Sequence, residues 1–264
     1  MMIKRYVFLR IALIVSFLCI VLPGHSYSQE KKGVLYQVST INALLEGVYD
    51  GDISYGELKK HGDFGIGTFN GLDGEMIGLD GKFFQIKSDG RAYPVDEVMK
   101  TPFAVVTFFE PDQKHVPDRP QDCGQLQEYL DSVLPTKNIF YAFRVKGLFK
   151  HVKTRSVPQQ SRPYRRLTDV VKDQPVFEFN MVRGSIVGVR FPEYFRGINM
   201  PGYHMHFITE ERNAGGHLLA CVTQGVLVEV MYSKSFYLLL PGDGDFARTE
   251  LLKAEQGELE KVEK

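Results

Sequence analysis

Beyond about residue 29 the apolar positions first follow a helical period and then a strand period. Ser39 or Thr40 offers an N-cap ahead of INALLEGV, whose apolar residues recur at helical spacing. YDGDISYGELKKHGD predicts a turn and then a short helix. From Phe64 the period changes, and FGIGTFNGLDGEMIGLDGKFFQIKSDGRAYPV alternates short β-prone runs with Asp-Gly pairs at 73–74, 80–81 and 89–90. Asp-Gly between such runs signals hairpins, because glycine accepts the positive φ of a tight turn. TPFAVVTFFEP predicts a buried strand, and QDCGQLQEYLDSVLP an amphipathic helix stopped before Pro135.

NIFYAFRVKGLFKHVKTRSVP predicts two strands hinged near Gly147, and SRPYRRLTDVVKDQP a basic loop running into a short helix. From Val176 to Leu240 the pattern is nearly all strand, in the runs VFEFNMV, GSIVGVRFP, YHMHFIT, HLLACVT, VLVEVMY and SFYLLLP. DFARTELLKAEQGELEKVEK predicts a charged C-terminal helix. The pattern predicts an α/β protein of the α+β type, with two β-sheet-dominated lobes and peripheral helices. Residues 29–160 are expected to form a mixed N-terminal lobe. Residues 161–264 are expected to form an antiparallel C-terminal lobe with the helical tail.

Composition narrows the class. At 264 residues and 44% hydrophobic, the chain buries one large core or two small ones. Basic and acidic residues balance at 32 each, so nothing suggests a nucleic-acid partner. The first residues change the picture more. Lys4, Arg5 and Arg10 precede or enter the apolar run IALIVSFLCIVLPG, the layout of a signal peptide. The run falls short of the roughly 20 residues that span a bilayer, so a retained anchor is the weaker reading. Residues 1–28 are therefore expected to be removed after Ser28. That leaves an exported protein, periplasmic or secreted, with no membrane association and a net charge of −3 instead of 0. Cys19, after Ser16-Phe17-Leu18, does not resemble a lipoprotein signal. Cys123 and Cys221 are too few for a disulfide scaffold, and nothing in the sequence brings them together. They are read as idle thiols, with pairing left open in an exported chain.

GYHMHFITEERNAGGH, Gly202 to His217, carries the chemistry. In a strand, His204 and His206 project from one face, with Met205 and Phe207 on the other. TEERNAGG suits a hairpin, and His217 then returns beside the first two. Three converging imidazoles fit a catalytic metal site with an open position. They suit zinc but also accept copper, iron or nickel. The bland alternative is three histidines satisfied one by one. His61, His115 and His151 are dispersed and read as surface or hydrogen-bonded groups, and His25 leaves with the leader. Taken alone, Glu75 reads as a solvated carboxylate beside a hairpin and Arg155 as an exposed strand cation.

Several blocks in order, YQVSTINALLEGVYDGD, GDFGIGTFNGLDGEMIGLDG, NIFYAFRVKGLFKHVKTRSV, VRGSIVGVRFP and GYHMHFITEERNAGGH, together resemble the alpha-acetolactate decarboxylase family. The likeness runs from about Tyr36 to His217 and more loosely to YLLLP. It implies two α/β lobes with the metal between them, a homodimer, and conversion of (S)-2-acetolactate to (R)-acetoin and carbon dioxide. It implies Zn2+ held by His204, His206 and His217, with Glu75, Arg155 and Thr68 lining the pocket. A second glutamate implied in the tail falls best on Glu263, with Glu255, Glu258 and Glu260 as competitors. The implied metal acts as a Lewis acid that stabilises an enediolate, while Arg155 holds the substrate carboxylate. Two other readings compete. One is a cupin-like metalloenzyme acting on another small hydroxy or keto acid, although no His follows His217 to supply the second cupin motif. The other is a secreted metal-binding module without catalysis, which would be indifferent to Glu75 and Arg155.

Overall fold

A computed structural model describes residues 33–242, 244–251, 257, 258 and 262. The expected leader, and Glu255, Glu260 and Glu263 of the tail, lie outside the described residues. The chain begins with β1 (Val34–Val38), α1 (Ile41–Leu45), β2 (Ile53–Ser54), α2 (Tyr55–Leu58) and β3 (Phe64–Thr68). It continues through β4 (Glu75–Leu79), β5 (Lys82–Ile86), β6 (Ala92–Pro94), β7 (Lys100–Thr101), β8 (Ala104–Thr107), β9 (Gln113–His115) and α3 (Cys123–Val133). Then come β10 (Phe140–Arg155), α4 (Leu167–Val170), β11 (Val176–Phe191), β12 (Gly202–Thr209), β13 (Gly215–Ser233), β14 (Ser235–Leu239) and α5 (Gly244–Arg248).

Local chemistry accounts for the element ends. The Thr40 hydroxyl accepts from the Ala43 amide to start α1, and Ser54 does the same for Glu57 at α2. Asp122 and Gln125 form a reciprocal capping box on α3. At the Asp80-Gly81 turn both residues take positive φ, 52° and 74°, and Leu79 pairs with Lys82 in the two-residue hairpin that Asp-Gly favours.

The fold is α+β and sheet-dominated. One sheet has seven strands in the order β14-β1-β8-β3-β4-β5-β6, antiparallel except for the parallel β1–β14 pair. A second runs β10-β11-β12-β13-β9 and closes on itself, because β10 also pairs with β13, and β2 and β7 form a small separate pair. The two sheets share a core. Ile66, Ile77 and Val105 of the first meet Val187, Val189 and Ile208 of the second. Period-2 alternation sends Met205 and Phe207 to the opposite side, into a cluster with Leu126 and Leu130 of α3.

Sheet membership crosses residue 160 in both directions. β9 and β10 precede it and belong to the second sheet, whereas β14 comes late and joins the edge of the first. The expected hinge at Gly147 is absent. β10 is a single strand that bulges after Gly147, because pairing with β11 and β13 on both edges carries it through. VFEFNMV and GSIVGVRFP likewise form one strand, as do HLLACVT and VLVEVMY. Of the expected tail helix, the described residues give α5 and helical positions at Glu258 and Val262.

The idle-thiol reading of the two cysteines is corrected. Cys123 at the start of α3 is disulfide-bonded to Cys221 on β13, across 98 residues of sequence. The helix docks on the closed sheet, and that docking brings together what sequence distance kept apart. A Cys123→Ser/Cys221→Ser variant should lose about 2–5 kcal/mol of unfolding free energy. Denaturant melts with and without reductant check this: wild type should shift to the variant's midpoint on reduction, and the variant should not respond. Coincident midpoints for oxidised wild type and variant would mean that the bridge contributes nothing.

Candidate metal centre and active site

β12 carries His204 and His206, and β13 carries His217 directly opposite His206 in the antiparallel register. Opposed side chains in such a pair stand about 4.5–5.5 Å apart at Cβ. The three rings lie 5.2–5.3 Å apart, centroid to centroid. One ligand nitrogen from each falls within 4.8 Å of the others. All three are buried. Gly216 makes the approach possible, since a Cβ there would lie 2.3 Å from the Arg155 carbonyl oxygen. With that contact allowed, β13 closes on the end of β10 and Arg155 pairs opposite His217.

The first sheet supplies the other side. Thr68 and Glu75 face each other across β3 and β4. The Thr68 hydroxyl donates to the Gly74 carbonyl at 2.6 Å, fixing the turn that delivers Glu75. The next residue, Met76, places its carbonyl 2.9 Å from Nδ1 of His206. That acceptor selects the tautomer with hydrogen on Nδ1 and leaves the Nε2 lone pair toward the cluster. His206 Nε2 is buried with no hydrogen-bond partner in the described structure, and its near neighbour is Glu75 Oε2 at 3.6 Å. Glu75 Oε1 in turn lies 3.8 Å from Nη1 of Arg155. The remaining walls are apolar, from Ile41, Leu44, Leu72, Phe103, Val157 and Leu167.

Burial sets the charge state. Removal from water pushes His204 down to about 3, with the Arg155 cation adding to the effect. Burial also holds His206 well below the ordinary imidazole range, and His204 and Arg155 reinforce this against the Met76 hydrogen bond. Neutral imidazoles are the form that binds a cation. A buried lone pair with no donor, facing two more imidazoles, fits a metal ion better than a packed core.

Thr68, Glu75, Arg155, His204, His206 and His217 all line one pocket. Glu75 and Arg155 are buried there, against the solvated and exposed readings their sequence context suggests in isolation. Glu258, a competitor for the tail glutamate, pairs with Arg166 at 2.8 Å. Val262, next to Glu263, is buried against the pocket wall, and its carbonyl accepts from Arg155 Nη2. His61 stacks on Tyr36, His115 contacts Gln113, and His151 lies near Glu178, all away from the cluster. Sequence reasoning missed three contacts, the Met76 carbonyl on His206 and the Val262 carbonyl and Gln174 side chain on Arg155. A backbone carbonyl leaves no trace in residue identity. Gln174 stands at the end of a 3₁₀ turn, where nothing marks it.

Neutral imidazoles beside an ion-paired carboxylate, at the meeting of two sheets, define the class as a protein able to hold a metal ion at a buried reaction site. The chain matches the alpha-acetolactate decarboxylase family model over residues 35–253. It is 52% identical over 237 residues to an alpha-acetolactate decarboxylase of Methanosarcina mazei, covering 90% of this chain and 82% of that one. Against the enzyme of that name from Bacillus subtilis strain 168 it is 48% identical over 217 residues, 82% of this chain and 85% of that one. The X-ray crystal structure of alpha-acetolactate decarboxylase from that strain superposes with a TM-score of 0.84 at 45% identity, over 87% of this chain and 99% of the other. The chain therefore belongs to the alpha-acetolactate decarboxylase family. It is a lyase, a decarboxylase.

His206→Ala should keep its sheet content by circular dichroism and lose metal, from about one equivalent to nearly none by elemental analysis. A folded variant that retained full metal would remove His206 from the ligand set.

Proposed function

We propose that the chain converts (S)-2-acetolactate to (R)-acetoin and carbon dioxide, with zinc held by His204, His206 and His217. The observation that carries this reading is the convergence of three buried imidazoles on the Glu75–Arg155 pair, in a chain of this family. Held by those three imidazoles, a metal ion would supply Lewis acidity to the reaction.

The chain's own groups do the rest. Arg155 holds the substrate carboxylate through charge-assisted hydrogen bonds, and its Nε is buried and has no hydrogen-bond partner among the described residues. The carbon–carbon bond to the carboxylate breaks, carbon dioxide leaves, and the electron pair passes to the neighbouring carbonyl. A proton must then return to carbon on one face. Glu75 stands between Arg155 and His206, so its carboxyl can hold or pass that proton at Oε1 or Oε2. Thr68 keeps the Gly74 turn, and with it Glu75, in place. Glu263, following buried Val262, is proposed as the tail carboxylate that reaches the metal. The apolar walls keep water from competing for the carbanionic carbon.

Export completes the proposal. The charged and apolar leader supports cleavage after Ser28, and the Cys123–Cys221 bridge suits an oxidising compartment. The mature chain is proposed to work outside the cytoplasm as a homodimer, on substrate released from cells.

Purified residues 29–264 given racemic acetolactate test the reading. About one zinc per chain is expected, with acetoin formed and activity lost to chelator. Metal without acetoin would keep the histidine site and sink the reaction. Arg155→Ala should bind metal normally and lose on the order of a hundredfold or more in kcat/KM. Wild-type kinetics in that variant would remove Arg155 from the site.

A further inference from the structure

Arg155 closes β10 as a buried cation, and its nitrogens can be accounted for one at a time. Nη2 donates to the Val262 carbonyl, and Nη1 donates to Oε1 of Gln174 at 2.8 Å. Nη1 also lies 3.8 Å from Glu75, while Nε has no hydrogen-bond partner in the described structure. The chain itself places Gln174 here. Arg155 pairs with Val176 at the start of β11, and the Ser156 amide donates to the Pro175 carbonyl at 3.3 Å. Pro175 holds the preceding residue extended, and Gln174 has φ −73° and ψ 134°. The amide is thus delivered to the guanidinium by backbone on both sides of it.

We propose that Gln174 is the positioning residue for substrate-carboxylate recognition: it fixes the Arg155 guanidinium through a neutral acceptor, leaving Nε and the cationic charge for the substrate. The inference rests on the reading of Arg155 as the carboxylate anchor. The neutrality of the acceptor is the point. An amide oxygen orients a guanidinium without discharging it, whereas a carboxylate in the same place would pair with it and compete with the substrate. The substrate's carboxylate charge also disappears as carbon dioxide leaves. Anchoring therefore acts more on the bound ground state than on the transition state, and a fault in it belongs in KM more than in kcat.

The test compares Gln174→Glu and Gln174→Ala with wild type and Arg155→Ala, all metal-loaded and matched for metal content and thermal midpoint. Kinetics on racemic acetolactate are paired with binding of two probes. One is 2,3-dihydroxy-2-methylbutanoate, which keeps the carboxylate; the other is acetoin, which lacks it. Gln174→Glu, nearly isosteric, should raise KM on the order of tenfold with kcat little changed. Affinity for the dihydroxy acid should fall in parallel, and affinity for acetoin should hold. Gln174→Ala should move the same way by less. Wild-type KM and probe selectivity in Gln174→Glu, with Arg155→Ala impaired, would overturn the role of Gln174 alone. Equal weakening of both probes would also overturn it, as a general packing defect. If Arg155→Ala bound the dihydroxy acid as wild type does, the anchor reading would fall and this inference with it.

Discussion

The imidazole of His206 is the joint between the two sheets. Its ring hangs from β12 in the second sheet, and its Nδ1–H donates to the Met76 carbonyl of β4 in the first. With the residue 1% exposed, water cannot replace that acceptor. Leaving the donor unmet would cost about 1–3 kcal/mol, so the bond holds the sheets in one alignment. The same bond aims Nε2 at the other imidazoles and at Glu75. A one-residue slip of β12 would put Met205 and Phe207 where His204 and His206 now stand. The shared core of Ile77, Val187, Val189 and Ile208 beside the site resists such a slip.

Charge balance follows from that burial. His204 and His206 are held neutral by desolvation, and Arg155 nearby pushes in the same direction. The Arg155 cation and its carboxylate neighbour stand 3.8 Å apart, beyond hydrogen-bond distance. A buried ion pair repays its desolvation only when the remaining hydrogen-bonding groups are met. Arg155 meets two of its nitrogens with neutral oxygens, those of Gln174 and Val262. What stays unmet, Arg155 Nε and His206 Nε2, lies in the pocket that takes a carboxylate and a cation in the proposed reaction.

How much was legible in the sequence depended on the range of the cause. Alternation is a two-residue rule, and it placed His204 and His206 on one face. A Gly-rich turn is a local rule too, and it brought His217 back beside them. Asp80-Gly81 became the expected hairpin for the same reason. Glu75 and Arg155 were different: each looked solvated in its own neighbourhood, and only resemblance to a family singled them out. Their burial comes from one sheet packing on another, which no window of residues contains. The Cys123–Cys221 bridge and the continuity of β10 through Gly147 are long-range in the same way: one needs a helix docked on a strand 98 residues away, the other needs β10 paired with β11 and β13 in the closed sheet.

The interleaving of the sheets makes the site a property of the whole chain. β10 brings Arg155 from before residue 160, and β12 and β13 bring the histidines from after it, yet β10 and β13 are hydrogen-bonded neighbours. β14, following β13 directly, crosses to the edge of the first sheet beside β1. The tail then returns to Arg155 at Val262, past the Glu258–Arg166–Glu46 ion pairs. Neither sheet can be lifted away without parting Glu75 from both His206 and Arg155. The groups of the proposed site come from both sheets and from Val262, so the site forms only once all of them have packed together.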